Sequence, residues 1–232
     1  MIPAIFNWSG GKDSSLALYK VLQEKKYEVR CLLTTLNAEN ERVSMHGIRK
    51  ELLQQQADEM GLPLKMVFLN PSATLEEYNR LMAETLASFK AEGINHSIFG
   101  DIFLEDLKQY RNERLKQAGF EGVYPLWKMD TRKLVTEFIG LGFRTALVCI
   151  NAGLLDRSFC GRVIDRQFLA DLPPQVDPAG ENGEFHTFAF DGPIFRKPVE
   201  FVMGDVVERS YTNPSKPDEN IRFLFVDLLE KQ

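Results

Sequence analysis

Seven small, polar and charged residues near the start of the chain have the composition of an anion-binding loop. Two adjacent glycines allow the backbone to turn tightly and approach a ligand. The run leads into a helical pattern, so its unpaired N–H groups and the positive end of the helix dipole point to one place, where phosphate is the usual occupant. The residues predicted to bind phosphate are Ser9, Gly10, Gly11, Lys12, Asp13, Ser14 and Ser15.

Two better-known phosphate loops do not fit this run. A Walker A loop would need glycine where Phe6 stands and serine or threonine where Asp13 follows the lysine. The dinucleotide fingerprint Gly-x-Gly-x-x-Gly is also missing. Asp13 would repel phosphate unless a cation lies between them, so Mg²⁺ shared by carboxylate and phosphates is predicted. The simpler alternative is a tight turn in which Ser9 and Asp13 cap the following helix.

Three further positions could take part in chemistry. Asp101 and Glu105 follow a predicted strand end, where they would hold Mg²⁺ or orient a substrate amine; helix capping is the alternative for Asp101. The segment 180–187 combines two carboxylates, an amide and a histidine, which suits a polar substrate, ammonium or Mg²⁺. An exposed acidic turn would have the same composition. His46 is interpreted as an ordinary surface or capping residue.

The elements that must position these residues alternate between strand and helix. This alternation predicts right-handed crossovers and a mostly parallel sheet covered by helices on both faces. Ligands bind beyond the C-terminal ends of such strands, so the loop and Gly100-Asp101 are expected to line one crevice. The predicted strands are 2–8, 27–36, 64–69, 94–100 and 122–125, and the predicted helices are 13–26, 47–60, 72–92 and 104–119.

The last hundred residues follow a different pattern. After a predicted helix at 131–141 and a strand at 144–150, only short apolar stretches remain, at 186–190, 194–203 and 222–228. They are separated by Gly, Pro and Asn, which is typical of a small, partly antiparallel lobe. We therefore expect an ATP-binding α/β domain at 1–130 and a smaller α+β substrate-binding lobe at 131–232.

Composition narrows the class of protein. The chain has 232 residues and a net charge of −5, which argues against broad binding to nucleic acid. Its three cysteines are Cys31, Cys149 and Cys160; their spacing suits neither a disulfide framework nor a zinc site, and the first two are predicted to be core thiols. A signal peptide and a membrane-length apolar run are both absent, so a cytoplasmic location is expected.

Several of these motifs together resemble a known family. Ser-Gly-Gly-x-Asp-Ser after the first strand looks like the PP-loop of the adenine-nucleotide α-hydrolase superfamily, which has a Rossmann-like fold. Within it, the chain resembles the diphthine–ammonia ligase family of ATP-binding proteins. The PP-loop is specific for the superfamily, and the last of the matching segments is the more specific sign of the family. The matching segments are 8–14, 56–64, 99–102, 124–127 and 180–187.

The resemblance implies a reaction and a set of site residues. A substrate carboxylate, carried by a small molecule or a protein, would attack the α-phosphate of ATP-Mg²⁺, and ammonia or an amine would then displace AMP. A homodimer would also be compatible with it. Catalytic roles are assigned to Lys12, Asp13, Asp101 and Glu184, and Mg²⁺ contacts to Asp13 and Asp101. Nucleotide contacts beyond the loop are assigned to Thr35, Asn37 and Gly100, and substrate contacts to Glu105, Glu181, Asn182, Gly183, Glu184 and His186.

The last segment departs from the family pattern at two positions. Asn182 stands where diphthine ligases carry glycine, and His186 stands where they carry glutamate. This form resembles a bacterial branch linked to cobamide salvage, and it leaves ATP use untouched. The loop would also suit a tRNA-modifying PP-loop enzyme, which the acidic charge and the scattered cysteines disfavour, or an ATP-binding module without turnover.

Overall fold

The computed structural model describes residues 1–43, 46–213 and 216–231. A five-stranded parallel sheet with the order β3-β2-β1-β4-β5 forms the first half of the chain. Strands β2 and β3 follow β1 on one side, and β4 and β5 lie on its other side, so the strand order switches beside β1. Ligands bind at this switch point in such sheets. The strands are β1 (Ile2–Asn7), β2 (Tyr27–Asn37), β3 (Leu64–Leu69), β4 (His96–Ile98) and β5 (Glu121–Val123).

Four helices cover this sheet, and local signals set their ends. Thr74 and Glu77 form a reciprocal capping box at the start of α3. Gly61 and Gly119 end α2 and α4 in the left-handed conformation that glycine adopts without steric cost. The helices are α1 (Lys12–Glu24), α2 (Lys50–Met60), α3 (Leu75–Ala91) and α4 (Glu105–Ala118).

A second, antiparallel sheet has the order β7-β6-β9-β8. Its strand β7 leads directly out of the segment 180–187, so this sheet determines where that segment lies. The elements are α5 (Thr131–Gly140), β6 (Arg144–Asn151), a short 3₁₀ turn (Arg157–Phe159), α6 (Arg166–Asp171), β7 (Phe185–Asp191), β8 (Phe201–Asn213) and β9 (Lys216–Glu230).

One continuous hydrophobic cluster joins the two sheets. It contains Phe6 and Leu18 from the first half and Phe138 and Phe188 from the second, all fully buried. A smaller cluster around Phe89 packs on the opposite face of the parallel sheet, under α3 and α4. A division of the chain at residue 130 stays a proposal, because the larger core crosses that point.

The predicted fold class is confirmed: a Rossmann-like parallel sheet is joined to a smaller lobe built on an antiparallel sheet. Two details were wrong. The short apolar stretches 194–203 and 222–228 belong in part to a much longer hairpin, β8 and β9, and α6 was missed. Most of β8 is exposed and lacks an apolar alternation, so its pairing with β9, and not a sequence pattern, makes it a strand. Among the described helices, none has the length and apolarity needed to cross a membrane.

Candidate functional site

The loop between β1 and α1 is held in place by the second sheet. The Gly10 carbonyl accepts a hydrogen bond of 2.8 Å from the backbone N–H of Ala189 in β7. The backbone N–H of Lys12 donates to Thr187 Oγ1 over 3.0 Å. Gly10 has a φ of +80°, which glycine adopts without strain. Strand β7 therefore fixes the loop from behind, and the shape of the loop depends on residues more than 170 positions away.

A buried glutamine completes this support. Gln56 on α2 donates to the carbonyls of Gly10, at 3.0 Å, and Ala189, at 2.5 Å. Its Oε1 accepts from Trp8 Nε1 over 2.8 Å. Gln56 is fully buried, so one side chain links the loop, the end of β1 and β7 in a place that water does not reach. Such a satisfied buried network makes the loop rigid before any ligand arrives.

Lys12 and Asp13 occupy the first turn of α1. Lys12 is only 3% exposed, and its Nζ donates to the Ala179 carbonyl and, over 2.7 Å, to Asp13 Oδ2. The other carboxylate oxygen, Asp13 Oδ1, is buried and has no hydrogen-bond partner among the described residues. Burial raises the pKa of Asp13 despite the neighbouring ammonium. An unpartnered buried carboxylate oxygen fits a cation ligand, as predicted for Mg²⁺.

The serine hydroxyls of the loop mainly support its backbone. Ser14 Oγ and Ser15 Oγ both donate to the Gly11 carbonyl, at 3.0 and 2.9 Å. Ser9 Oγ and Ser14 Oγ lie 3.1 Å apart. Ser9 and Ser14 also line the cavity in front of the loop, whereas Ser15 is fully buried behind it. The loop therefore presents Ser9 and Ser14 to a ligand, with Ser15 as an internal support.

A cavity of about 1200 Å³ opens at the C-terminal ends of the parallel strands. Gly100 lines this cavity. It also packs closely against the first turn of α1, since a Cβ at this position would lie 3.0 Å from Ser14 N. The structure thus brings the loop and the Gly100-Asp101 corner together, as the strand pattern implied. The predicted residues that line the cavity are Ser9, Lys12, Asp13, Ser14, Thr35, Gly100, Asp101, Glu181, Gly183 and His186.

The cavity wall beside the loop carries a carboxyl group and two imidazoles. Burial, and then the charge of Asp13, raise the pKa of Glu181 to about 8. The imidazole rings of His46 and His186 pack against each other, with 4.5 Å between their centroids. Burial lowers the pKa of His46 to about 4 and that of His186 well below its usual value, so both are neutral at pH 7. The expectation of an ordinary surface role for His46 was wrong, because the ring lines the cavity and its Nδ1 lies 3.3 Å from the Thr187 carbonyl.

Gly10 and Gly11, like Ser15, do not line the cavity, and neither do four of the residues predicted outside the loop. Glu184 is 2% exposed; its carboxylate accepts from the backbone N–H groups of Asp177 and Asn182, both at 2.9 Å, and from the Asn182 side chain at 3.1 Å. Glu184 and Asn182 therefore build the turn that carries Glu181. This geometry corrects their assignment: it supports a structural role for both, where the sequence indicated catalysis and substrate binding.

Asn37 and Glu105 also lie away from the cavity wall. Asn37 accepts hydrogen bonds from the backbone N–H groups of Glu39 and Asn40, which stabilise the turn after β2. Glu105 is exposed, with its carboxylate 3.8 Å from Lys128 Nζ. The structure supports neither the nucleotide contact predicted for Asn37 nor the substrate contact predicted for Glu105.

Three residues of this site escaped prediction from sequence. Gln56 and Thr187 lie inside segments that matched the family pattern, yet their contacts with the loop depend on the packing of α2 and β7. Arg111 on α4 lines the cavity and forms an ion pair with Asp101. The sequence gave no signal for the Asp101–Arg111 pair. The two residues are ten positions apart, one just after a strand and the other in the second turn of the next helix, and no local pattern links such positions.

The described residues contain no preformed cluster of protein metal ligands, and their cysteine thiols are buried or half-buried. Across residues 1–43, 46–213 and 216–231, no group of three or more His, Cys, Asp or Glu residues forms a ready metal cluster. Cys31 and Cys149 are buried, and Cys160 is half-buried. Burial raises the pKa of all three thiols, for Cys160 to about 11, which disfavours the reactive thiolate.

The fold and the site define the class of protein: an α/β nucleotide-binding protein with an anion loop at the end of its first strand. Models of the diphthamide synthase N-terminal and C-terminal domains match residues 3–121 and 130–213. The chain therefore belongs to the diphthamide synthase family, that of the diphthine–ammonia ligases.

Individual relatives agree with that membership. The chain is 26% identical over 247 residues to the diphthine–ammonia ligase of Bos taurus and 24% identical over 245 residues to that of Homo sapiens. Each comparison covers 96% of this chain and 91% of the relative. The Schizosaccharomyces pombe relative is 28% identical over 112 residues, which is 45% of this chain and only 18% of that longer protein.

One solved structure matches part of the chain at a low level of similarity. It is a U34-tRNA thiolase NcsA from Methanococcus maripaludis with its 4Fe-4S cluster, with a TM-score of 0.36 and 18% identity. The match covers 60% of this chain and 57% of that chain. At this level of similarity, nothing about function follows from it.

Proposed function

We propose that the chain is an ATP-dependent, AMP-forming carbon–nitrogen ligase that adenylates a carboxylate and then forms an amide with ammonia or an amine. Its relatives named diphthine–ammonia ligase, similar over nearly the whole chain, support ligase chemistry. The observation that carries the proposal is the first turn of α1, beside the cavity, where Lys12 is buried and Asp13 Oδ1 finds no hydrogen-bond partner in the described part of the chain. This turn suits the pyrophosphate part of ATP and its cation.

The nucleotide would lie along the C-terminal ends of β1 and β2. Leu33, Thr34 and Thr35 line the cavity at the end of β2, and Val43, which pairs with Leu36 beside this end, lines it too. Together they offer an apolar and hydroxyl-bearing surface for adenine. Thr34 Oγ1 donates to the Trp8 carbonyl over 2.6 Å, so this wall is tied to the strand that leads into the loop. The β- and γ-phosphates would then reach the loop at residues 9–14.

The residues supply positioning and charge, which dominate phosphoryl and nucleotidyl transfer. Lys12 holds the pyrophosphate charge, with the first turn of α1 behind it. Asp13 would hold Mg²⁺, with Asp101 in the same wall; the ion, when bound, neutralises phosphate charge.

Two bond exchanges complete the reaction. A carboxylate oxygen of the acceptor attacks the α-phosphorus, and the bond from that phosphorus to the bridging oxygen breaks, which releases pyrophosphate. The amine nitrogen then attacks the acyl carbon, AMP leaves with its bonding electron pair, and the nitrogen loses a proton to solvent.

Product analysis with ATP labelled at the α- and γ-phosphates tests this function. With a carboxylate acceptor and ammonium, we expect label in AMP and in pyrophosphate, in equal amounts. Lys12→Met should reduce turnover at least about 100-fold, because it removes the charge that faces the leaving group. Lys20→Met, at a surface ion pair with Glu137, is the matched control and should leave turnover unchanged. Formation of ADP and phosphate would contradict the proposal.

A further inference from the structure

The cavity has a second arm that the phosphate chemistry does not use. It leaves the loop and passes between α3 and α4, and its walls are mostly apolar and aromatic. Tyr78, Met82 and Leu86 contribute from α3, and Leu107 and Leu115 contribute from α4. Leu86 and Leu115 are buried at its base, and the side chains nearer the mouth are half-buried. A concave apolar surface that opens into a nucleotide site can accept the non-reacting part of a second substrate.

Arg111 occupies the inner end of this arm, beside the loop. Its Nη1 donates to Asp101 Oδ2, and its guanidinium carbon lies over the Phe99 ring, 4.9 Å from the centroid. Asp101 follows Gly100, which packs directly on the backbone of Ser14 in the first turn of α1. The guanidinium is therefore anchored at the junction between the anion loop and the arm, in a fixed orientation.

The chemistry of this guanidinium suits a carboxylate. Arginine carries five N–H donors in a rigid plane, and the Asp101 contact is made through Nη1 alone. The side chain is 31% exposed and lines the cavity, so its remaining edge is open to a ligand there. A planar edge with two parallel donors binds carboxylate more specifically than a lysine ammonium does.

The mouth of the arm has the same preference for negative charge. Arg80, Lys90 and Arg114 line it, and Glu76 is the acid among the described residues that line it with them. Glu84 forms an ion pair with Arg80, which leaves an excess of one positive charge. This excess of positive charge contrasts with the net charge of −5 of the whole chain. An anionic ligand would be attracted into the arm, whereas a cationic one would be repelled from its mouth.

We infer that the arm between α3 and α4 binds the acceptor of the ligase reaction, a carboxylate on an apolar or aromatic body, with the carboxylate on Arg111. This inference rests on the proposed function, because it supplies that reaction with its acceptor site. The carboxylate is thereby held at the junction with the nucleotide site, and the body lies against the side chains of α3 and α4. Arg111 becomes a substrate-binding residue, and the walls of the arm select for length and apolarity.

Calorimetry can test this inference without turnover. Protein saturated with α,β-methylene-ATP and Mg²⁺ is titrated with 4-phenylbutyrate, with 4-phenylbutyramide, which lacks the charge, and with acetate, which lacks the body. We expect 4-phenylbutyrate to bind at least about tenfold more tightly than either comparator, a factor typical of one charge-assisted contact or one apolar group.

Variants of two residues that line the arm test which side chains bind the carboxylate and the apolar body of the ligand. Arg111→Gln should weaken 4-phenylbutyrate at least about tenfold and leave the affinity for α,β-methylene-ATP within about threefold, with Arg111→Lys in between. Leu107→Trp, which fills the arm, should have the same selective effect. Arg132→Gln, on the exposed side of α5, is the matched control and should change neither affinity.

The outcomes separate the two proposals. The inference is overturned if wild-type protein with bound nucleotide fails to bind 4-phenylbutyrate at millimolar concentration, or binds the amide equally well. It is also overturned if Arg111→Gln weakens the nucleotide more than the carboxylate, since Arg111 would then serve the phosphates of ATP. A wild-type protein that binds no nucleotide contradicts the proposed function itself, which the titration with α,β-methylene-ATP measures first.

Discussion

The two ends of the cavity are built in different ways. At the loop end, backbone groups of residues 9–15 are held by the buried Gln56 and by β7, so the ligand-facing surface is fixed from behind. In the arm, side chains of α3 and α4 form the surface, and a hydrogen bond of 2.6 Å from Tyr110 to Asn79 links the two helices across it. Near their C-terminal ends, Lys90 Nζ also donates to the Ala118 carbonyl over 3.0 Å.

This difference matches the ligand that we propose for each end: the phosphates of ATP at the loop and the acceptor in the arm. Phosphate is the same in every nucleotide, so a backbone cradle that cannot change without loss of the fold is a stable solution. An acceptor varies from one enzyme to another, and exposed or half-buried side chains on two helices can be substituted at little cost in stability. We therefore expect substitutions behind the loop to affect both stability and nucleotide affinity, and substitutions in the arm to affect acceptor binding.

The largest effect is expected from Gln56→Leu. This change leaves the indole N–H of Trp8 and the Ala189 carbonyl without their buried partner, so the free energy of unfolding should fall by about 3–5 kcal/mol. Affinity for ATP should fall with it. Chemical denaturation and nucleotide titration measure the two effects. Gln54→Leu, at an exposed position of the same helix, should cost less than about 0.5 kcal/mol. A loss below about 1 kcal/mol for Gln56→Leu would show that the loop does not depend on this support.

A smaller loss is expected from Gly10→Ala. The φ of +80° strains an alanine, and its Cβ would lie 2.9 Å from Leu53 Cδ2, so the free energy of unfolding should fall by about 2–3 kcal/mol. Gly61→Ala is the control: it has a φ of +67° and no atom within 4 Å of its Cβ, so only about 1 kcal/mol of backbone strain applies. Equal losses from the two variants would mean that the contacts behind the loop contribute nothing.

The wall between the two ends should respond to pH through Glu181. Its pKa is raised from 4.5 to about 8 in the folded protein, so folding favours the neutral acid. The stability that this group contributes is complete below pH 4.5 and is lost as pH rises toward about 8. In metal-free buffer, the free energy of unfolding of wild type should therefore fall relative to Glu181→Gln over this interval. Parallel pH profiles for the two proteins would argue against a buried, neutral Glu181.

The smallest effect is expected in the arm, from Tyr110→Phe. It removes the 2.6 Å hydrogen bond to Asn79 at a half-buried site, so the free energy of unfolding should fall by about 0.5–1.5 kcal/mol. Nucleotide affinity should not change, because this hydrogen bond joins α3 to α4 and takes no part in the support of the loop. A loss of nucleotide affinity comparable with that of Gln56→Leu would remove the distinction between the two ends of the cavity.

Much of the fold could be predicted from the chain. Helical and strand periodicities placed every strand of the parallel sheet within a few residues, and Gly61 marked the end of α2. The long hairpin of β8 and β9 could not be predicted, because its exposed residues carry no apolar alternation and only their pairing makes them strands. The loop at 9–15 was recognisable because its glycines and its place between strand and helix are local properties.

Which of the predicted polar residues line the cavity depended on contacts between parts of the chain that are far apart in sequence. Glu184 and Glu181 lie three residues apart in one acidic segment. The carboxylate of Glu184 accepts hydrogen bonds from backbone N–H groups, whereas Glu181 lines the cavity. Sequence alone determined that an anion loop opens the first helix of an α/β protein, since those signals lie within a few neighbouring residues. Only the tertiary structure decided which carboxylates line the cavity and that Arg111 lines it with them, because burial and partners come from strands and helices far apart in the chain.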